Sequence, residues 1–121
     1  ETEFPESLID DVFIKHINGP LFFGSTSNFQ ALSKQIPKTA EMVIVRMDRM
    51  SYIDQSGLFA LEDILIDLEK SGKQILFVAV SEQPKFMMER IGIIPDLVPE
   101  NHIFQTFDEC LNWVKQHITT T

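Results

Sequence analysis

The spacing of apolar residues along the chain switches several times between short runs and helical stripes. Val12, Phe13 and Ile14 begin an extended run that reaches about Ile17. Asn18-Gly19-Pro20 interrupts it with turn chemistry: Asn and Gly tolerate positive φ, and Pro holds φ at about −65°. Leu21-Phe22-Phe23 forms the next run, stopped by Gly24, and the two runs are predicted to pair as a hairpin. Ser27 with Gln30 fits a capping box, and Phe29, Leu32 and Ile36 recur at helical spacing until Pro37 ends the stripe. Met42 to Met47 is almost continuously apolar, which suits a strand covered on both faces of a parallel sheet.

Asp54 is placed to cap the next helix, whose stripe is Leu58, Leu61, Ile64, Leu65 and Leu68. Gly72, after Ser71, suits the left-handed position just past a helix end. Ile75 to Val80 reads as a third buried strand. A helix starting at Pro84 carries Phe86, Met87 and Ile91 and is closed by Gly92, and residues 93–101, with Pro95 and Pro99, are predicted as loop. Ile103-Phe104 makes a short last strand. Thr106 with Glu109 is a second capping box, and Phe107, Leu111, Val114 and Ile118 stripe the last helix. This alternation predicts βαβ crossovers. The fold class is therefore α/β, with a mixed, mostly parallel sheet, an N-terminal β-hairpin and about four helices. Residues 1–11 are expected as a linker or tail, 12–118 as one domain, and 119–121 as a frayed end.

Composition removes several classes of function. The chain has 121 residues, enough for one hydrophobic core. No run approaches the roughly 20 apolar residues that cross a bilayer. Eighteen acids against ten bases give a net charge of −8, which argues against nucleic acid or an anionic membrane surface as partner of the fold itself. The single cysteine, Cys110, can make neither an internal disulfide nor a cysteine-rich metal site. The chain starts at Glu1 without Met and shows no signal-peptide pattern, so the natural protein is expected to extend upstream.

Catalytic chemistry is hard to assemble from what remains. There is no glycine-rich phosphate loop. His16, His102 and His117 share no ligand spacing with one another or with Cys110, so no metal site is expected. Cys110 sits where a small buried hydrophobe belongs, between Phe107 and Leu111 on a helical stripe. The carboxylate pairs Asp10-Asp11, Glu62-Asp63 and Asp108-Glu109 are sequence neighbours, which on a helix point apart and cannot face one substrate. No enzyme and no cofactor is expected.

Ser51-Tyr52-Ile53-Asp54-Gln55-Ser56-Gly57 is the most informative segment. It falls between the C-terminal end of a buried strand and the start of a helix, the edge where ligands and switches of open α/β sheets collect. Asp54 can accept N–H bonds from the first turn, Gly57 leaves that turn bare, and Ser56 presents a hydroxyl where a phosphate would meet the positive end of the helix dipole. Two readings follow from the pattern: a cap and a turn, or a regulatory and partner-contacting site. On the same helix Phe59 and Ile66 lie outside the leucine stripe, beside Gln55, Glu62 and Asp63. Either a neighbouring segment covers these two side chains, or they anchor a docking surface rimmed by acids.

Asp54-Gln55-Ser56-Gly57 after an apolar strand, followed by a leucine-striped helix ending in Ser71-Gly72, resembles the STAS domain. The resemblance runs from about Val12 to Ile118. Residues 17–24 and 103–110 are similar to the first-hairpin segment and the pre-helix segment of STAS domains from SulP-type anion transporters, although Cys110 stands where that family usually has Ala. The resemblance implies a non-catalytic regulatory and interaction domain on the cytoplasmic side of the bacterial inner membrane. Its implied partners are the membrane part of its own transporter and a separate regulatory protein, within a homodimeric full-length protein. The alternative it implies is a free-standing anti-sigma factor antagonist, in which the hydroxyl residue before the glycine, here Ser56, is phosphorylated by a partner kinase. Gln55 departs from the Ser or Thr that antagonists commonly carry at that place.

Overall fold

The structure of the protein, a computed structural model, describes residues 12–16, 36 and 38–118. Four strands form one sheet among the described residues: β1 (Val12–His16), β2 (Met42–Arg46), β3 (Gln74–Val78) and β4 (Ile103–Phe104). Their spatial order is β1-β2-β3-β4, and each neighbouring pair is parallel. The described helices are α1 (Gln55–Lys70), α2 (Glu82–Arg90) and α3 (Phe107–Ile118).

The apolar runs of β2 and β3 have their predicted reason. Alternate residues of a strand face opposite sides, and both sides are covered. Val43, Val45, Ile75 and Phe77 pack with Leu58, Leu61, Leu65 and Met88 in one cluster. Met42, Ile44, Leu76 and Val78 pack with Phe107, Cys110, Leu111 and Val114 in the other. The sheet thus lies between α1 and α2 on one face and α3 on the other. Arg46, the last residue of β2, lies on the α3 side. Its buried Nε has no hydrogen-bond partner, and its guanidinium instead sits 4.5 Å over the centroid of the Phe107 ring.

The helix ends follow local chemistry. Past α1, Gly72 has φ +81, its N–H donates to Glu69 O at 2.9 Å, and the Lys73 N–H donates to Leu68 O at 3.1 Å. This pair of bonds satisfies two of the helix's last carbonyls and needs a left-handed residue between them. At the start of α3, the Glu109 N–H donates to Thr106 Oγ1 at 3.2 Å, while Glu109 Oε1 accepts from the Gln105 N–H, one residue earlier than in a standard capping box.

Several expected boundaries move. The strand expected to reach Val80 ends at Val78, because Ala79 turns to φ +61 and donates its N–H to Phe104 O at 2.8 Å. The helix expected to start at Pro84 starts at Glu82. Pro84 sits in its first turn, where a missing N–H costs nothing. The expected loop 93–101 is part of the core: Ile93, Ile94 and Val98 are buried in a compact turn over 93–97, and a short 3-10 turn follows at 100–102. The predicted hairpin partner at 21–23 and the helix expected before Pro37 lie outside the described residues. The β1 that is described pairs in parallel with β2.

Candidate functional site

The site is built where β2 gives way to α1. Met47 prolongs the sheet edge by donating its N–H to Val78 O at 2.9 Å, and a turn closes from the Met50 N–H to Met47 O at 3.0 Å. Met47, Met50 and Ile53 are fully buried, so apolar side chains pin a segment that has little regular structure of its own. Asp54 follows in an extended conformation, φ −90 and ψ 176. Its Oδ1 accepts from the Gly57 N–H at 2.8 Å, and its carbonyl accepts from the Leu58 N–H at 2.8 Å. Asp54 is therefore the cap of α1, as its place before the leucine stripe predicted. Gly57 is buried in the first turn, and Gln55 and Ser56 are exposed beside it. A group attached to Ser56 Oγ would stand in solvent at the N-terminal end of a 16-residue helix, where the helix dipole favours negative charge.

These placements separate two roles in one motif. Asp54→Ala should cost about 1 kcal/mol through the lost cap. Ser56→Ala should change stability by no more than roughly 0.5 kcal/mol, because alanine is the better helix former and no buried group is removed. Urea denaturation of both variants checks this. A Ser56→Ala loss as large as that of Asp54→Ala would make the hydroxyl structural.

The remaining candidates divide by exposure. Phe59 is 46% exposed, whereas Ile66 is half-buried. Asp63 is exposed and Glu62 partly so. At about 100° per residue, Gln55, Phe59, Glu62 and Ile66 fall within about 60° of one another on α1, beside the leucine stripe and outside it. Beside Gln55 a groove of about 260 Å³ runs between α1 and α2, lined by Gln55, Leu58, Met87, Arg90 and Ile91. A larger, open cavity of about 410 Å³ lies at the carboxyl ends of β3 and β4, among Val80, Lys85, Glu100 and Gln105.

Sequence reasoning missed Gln83. Its carboxamide accepts from the Ile53 N–H at 2.9 Å through Oε1 and donates to the Ile53 carbonyl at 3.0 Å through Nε2. Nothing local signals a partnership across 30 residues. The one hint is a polar side chain in the first turn of a helix whose own N-cap, Ser81, makes no side-chain bond to it.

Among the described residues the titratable groups do not converge on a reacting centre. Burial pushes the Cys110 thiol up to about 12, against the smaller opposing pull of Arg46, so it carries no thiolate at neutral pH. Burial lowers the pKa of His102, whose Nδ1 lies 3.0 Å from Ile75 O and whose ring meets Trp113 edge-on at 4.9 Å. Trp113 stacks in turn on His117. These contacts tie the 100–102 turn to β3 and α3, far along the chain from Ser56. Among the described residues no group of three His, Cys, Asp or Glu side chains is placed to hold a metal ion, and no helix is long and apolar enough to cross a membrane.

Comparison with known proteins gives a consistent picture. A family model described as the STAS domain matches residues 7–110. YvdB of Bacillus subtilis (strain 168), provisionally named as a sulfate transporter, is 28% identical over 94 residues. The match takes in 77% of this chain and 18% of that protein, so the chain spans about a fifth of its relative's length. The crystal structure of a sulfate transporter family protein from Wolinella succinogenes is 32% identical and superposes with a TM-score of 0.79, covering 93% of this chain and 88% of that one. The STAS domain of a SulP transporter from Vibrio cholerae has the same fold at 21% identity and a TM-score of 0.79, covering 100% and 91%. So does a protein from Thermotoga maritima provisionally named as an anti-sigma factor antagonist, at 20% identity and a TM-score of 0.70, covering 93% and 94%.

Proposed function

The chain belongs to the STAS domain family, and from that premise we propose that it is the regulatory and interaction domain of a SulP-type anion transporter. It does no chemistry of its own. It lies on the cytoplasmic side of a bacterial inner membrane and works within a homodimeric full-length protein. One observation carries this reading above others: the 94 residues that match make up only 18% of a relative that is named for sulfate transport. The buried, protonated Cys110 supports a domain without catalysis. Selection of the anion then belongs to the membrane part.

The working surface is the start of α1. Ser56 is its regulatory position, Asp54 and Gly57 fix the backbone that presents it, and Gln55, Phe59, Glu62, Asp63 and Ile66 meet the partner. Apolar anchors among acids suit a partner that is basic around an apolar pocket, such as a cytoplasmic loop of the transporter's own membrane part or a separate regulatory protein. The antagonist reading has one specific support, the exposed hydroxyl of Ser56 at a helix N-terminus on a fold shared with the Thermotoga maritima protein. Both readings give Ser56 the same chemistry, with charge added at an exposed helix start.

Sulfate uptake into vesicles carrying the full-length protein tests the transporter reading. Ser56→Glu should change uptake at least severalfold while the melting temperature of the domain stays within about 2 °C of wild type. Uptake unaffected by Ser56→Glu would remove the motif from transport control.

A further inference from the structure

Ile53 is the last residue before the cap of α1, and it is completely buried. Its two backbone polar groups need partners there. Both are taken by one side chain, the carboxamide of Gln83, at 2.9 and 3.0 Å. A carboxamide does this at neutral pH because it places a donor and an acceptor side by side as a neighbouring strand would, whereas an ionised carboxylate only accepts. A glutamate in its place would keep the bond from the Ile53 N–H and lose the one to the Ile53 carbonyl.

Gln83 lies in the first turn of α2. The body of α2 packs most extensively against the 93–97 turn, and Met88 shares the buried cluster of Leu58, Leu61 and Leu65 of α1. The carboxamide is the polar link between the motif and the first turn of α2. One turn further along α2, Met87, Arg90 and Ile91 form one wall of the groove whose other wall is Gln55 and Leu58. Phe86 is 56% exposed on the same helix, with the Arg90 guanidinium 5.8 Å from its ring centroid. The motif and the exposed end of α2 are thus connected at two places, by the clamp on Ile53 and across the groove.

We propose that Gln83 is the positioning residue that couples the Asp54–Ser56–Gly57 motif to α2, so that a change at Ser56 is passed through Ile53 into α2 and its exposed face. The proposal rests on Ser56 being the regulatory position. A charge or a partner at Ser56 displaces the first turn of α1. Asp54 moves with that turn because its carboxylate and carbonyl are both bonded into it. Ile53, the next residue back, carries the displacement to Gln83 and the start of α2.

Amide spectra of the ¹⁵N-labelled 121-residue chain test the coupling in a four-way comparison of wild type, Ser56→Glu, Gln83→Ala and the double variant. With Gln83 present, Ser56→Glu should shift amides along α2, from residue 83 to residue 90, as well as those of residues 54–59. With Gln83→Ala, the α2 shifts from Ser56→Glu should fall at least severalfold while those of residues 54–59 persist, and exchange of the Ile53 amide should rise about tenfold or more. Absence of α2 shifts with Gln83 in place would overturn the proposal, and so would α2 shifts of equal size in the Gln83→Ala background. Should Gln83→Ala fail to fold, Gln83→Glu gives the reading. The α2 response should then fall by roughly half, since one of two bonds remains, and an unchanged response counts against the clamp. The comparison reads coupling inside the chain, so it can fail while the transporter reading stands, and can succeed on a chain that serves a different partner.

Discussion

Replacing Phe77 with alanine will remove about 3–5 kcal/mol of stability, a large part of the roughly 5–15 kcal/mol that holds such a domain together. Phe77 is among the largest side chains with no exposed surface, and it lies on β3, which pairs with β2 on one side and β4 on the other. Its register partners are Val45 and Ile103. Its side chain lies in the cluster that joins the sheet to Leu58, Leu61, Met88 and Ile93, so a cavity there loosens α1, α2 and the 93–97 turn together. Urea denaturation should show the midpoint falling with little change in slope, the signature of lost stability in an unchanged fold. A loss under about 1.5 kcal/mol would mean that the site collapses readily, contrary to a close-packed sheet face.

The second large effect is on binding. On the proposed docking role, Phe59→Ala should weaken binding of the domain to the membrane part at least tenfold, which corresponds to about 1.4 kcal/mol. The same change should lower the domain's own stability by less than about 1 kcal/mol, because nearly half of the ring is already in water. Ile66 behaves differently. It shares the Phe59 face of α1 but is half-buried, so Ile66→Ala should reduce both binding and stability. Calorimetric melting of each variant beside its binding measurement separates the two. A stability loss of about 2–5 kcal/mol on Phe59→Ala would place the ring in the core and remove the docking face.

What the sequence discloses here follows from how far each signal reaches along the chain. Asp54, Gly72 and Thr106 act on backbone groups within four residues, so their roles stand in the residue order itself. The buried runs of β2 and β3 are equally plain, since covering both faces leaves no polar alternation. Ile93, Ile94 and Val98 are core residues, but Gly92, Pro95 and Pro99 surround them with loop chemistry and their spacing fits neither period. Ala79 ends β3 by turning to positive φ, which nothing in an apolar run announces. Gln83 is the clearest case at the site. Its partner is a backbone 30 residues away, brought near by the crossover through α1 and β3, and a single polar side chain carries no trace of that approach.

The reading of this chain as one domain of an anion transporter is tested most directly by sequencing the coding frame upstream of Glu1. The account predicts roughly ten or more apolar segments of about 20 residues each upstream of Glu1. A start codon a few residues upstream of Glu1, with no such segments, would contradict it and leave the free-standing antagonist.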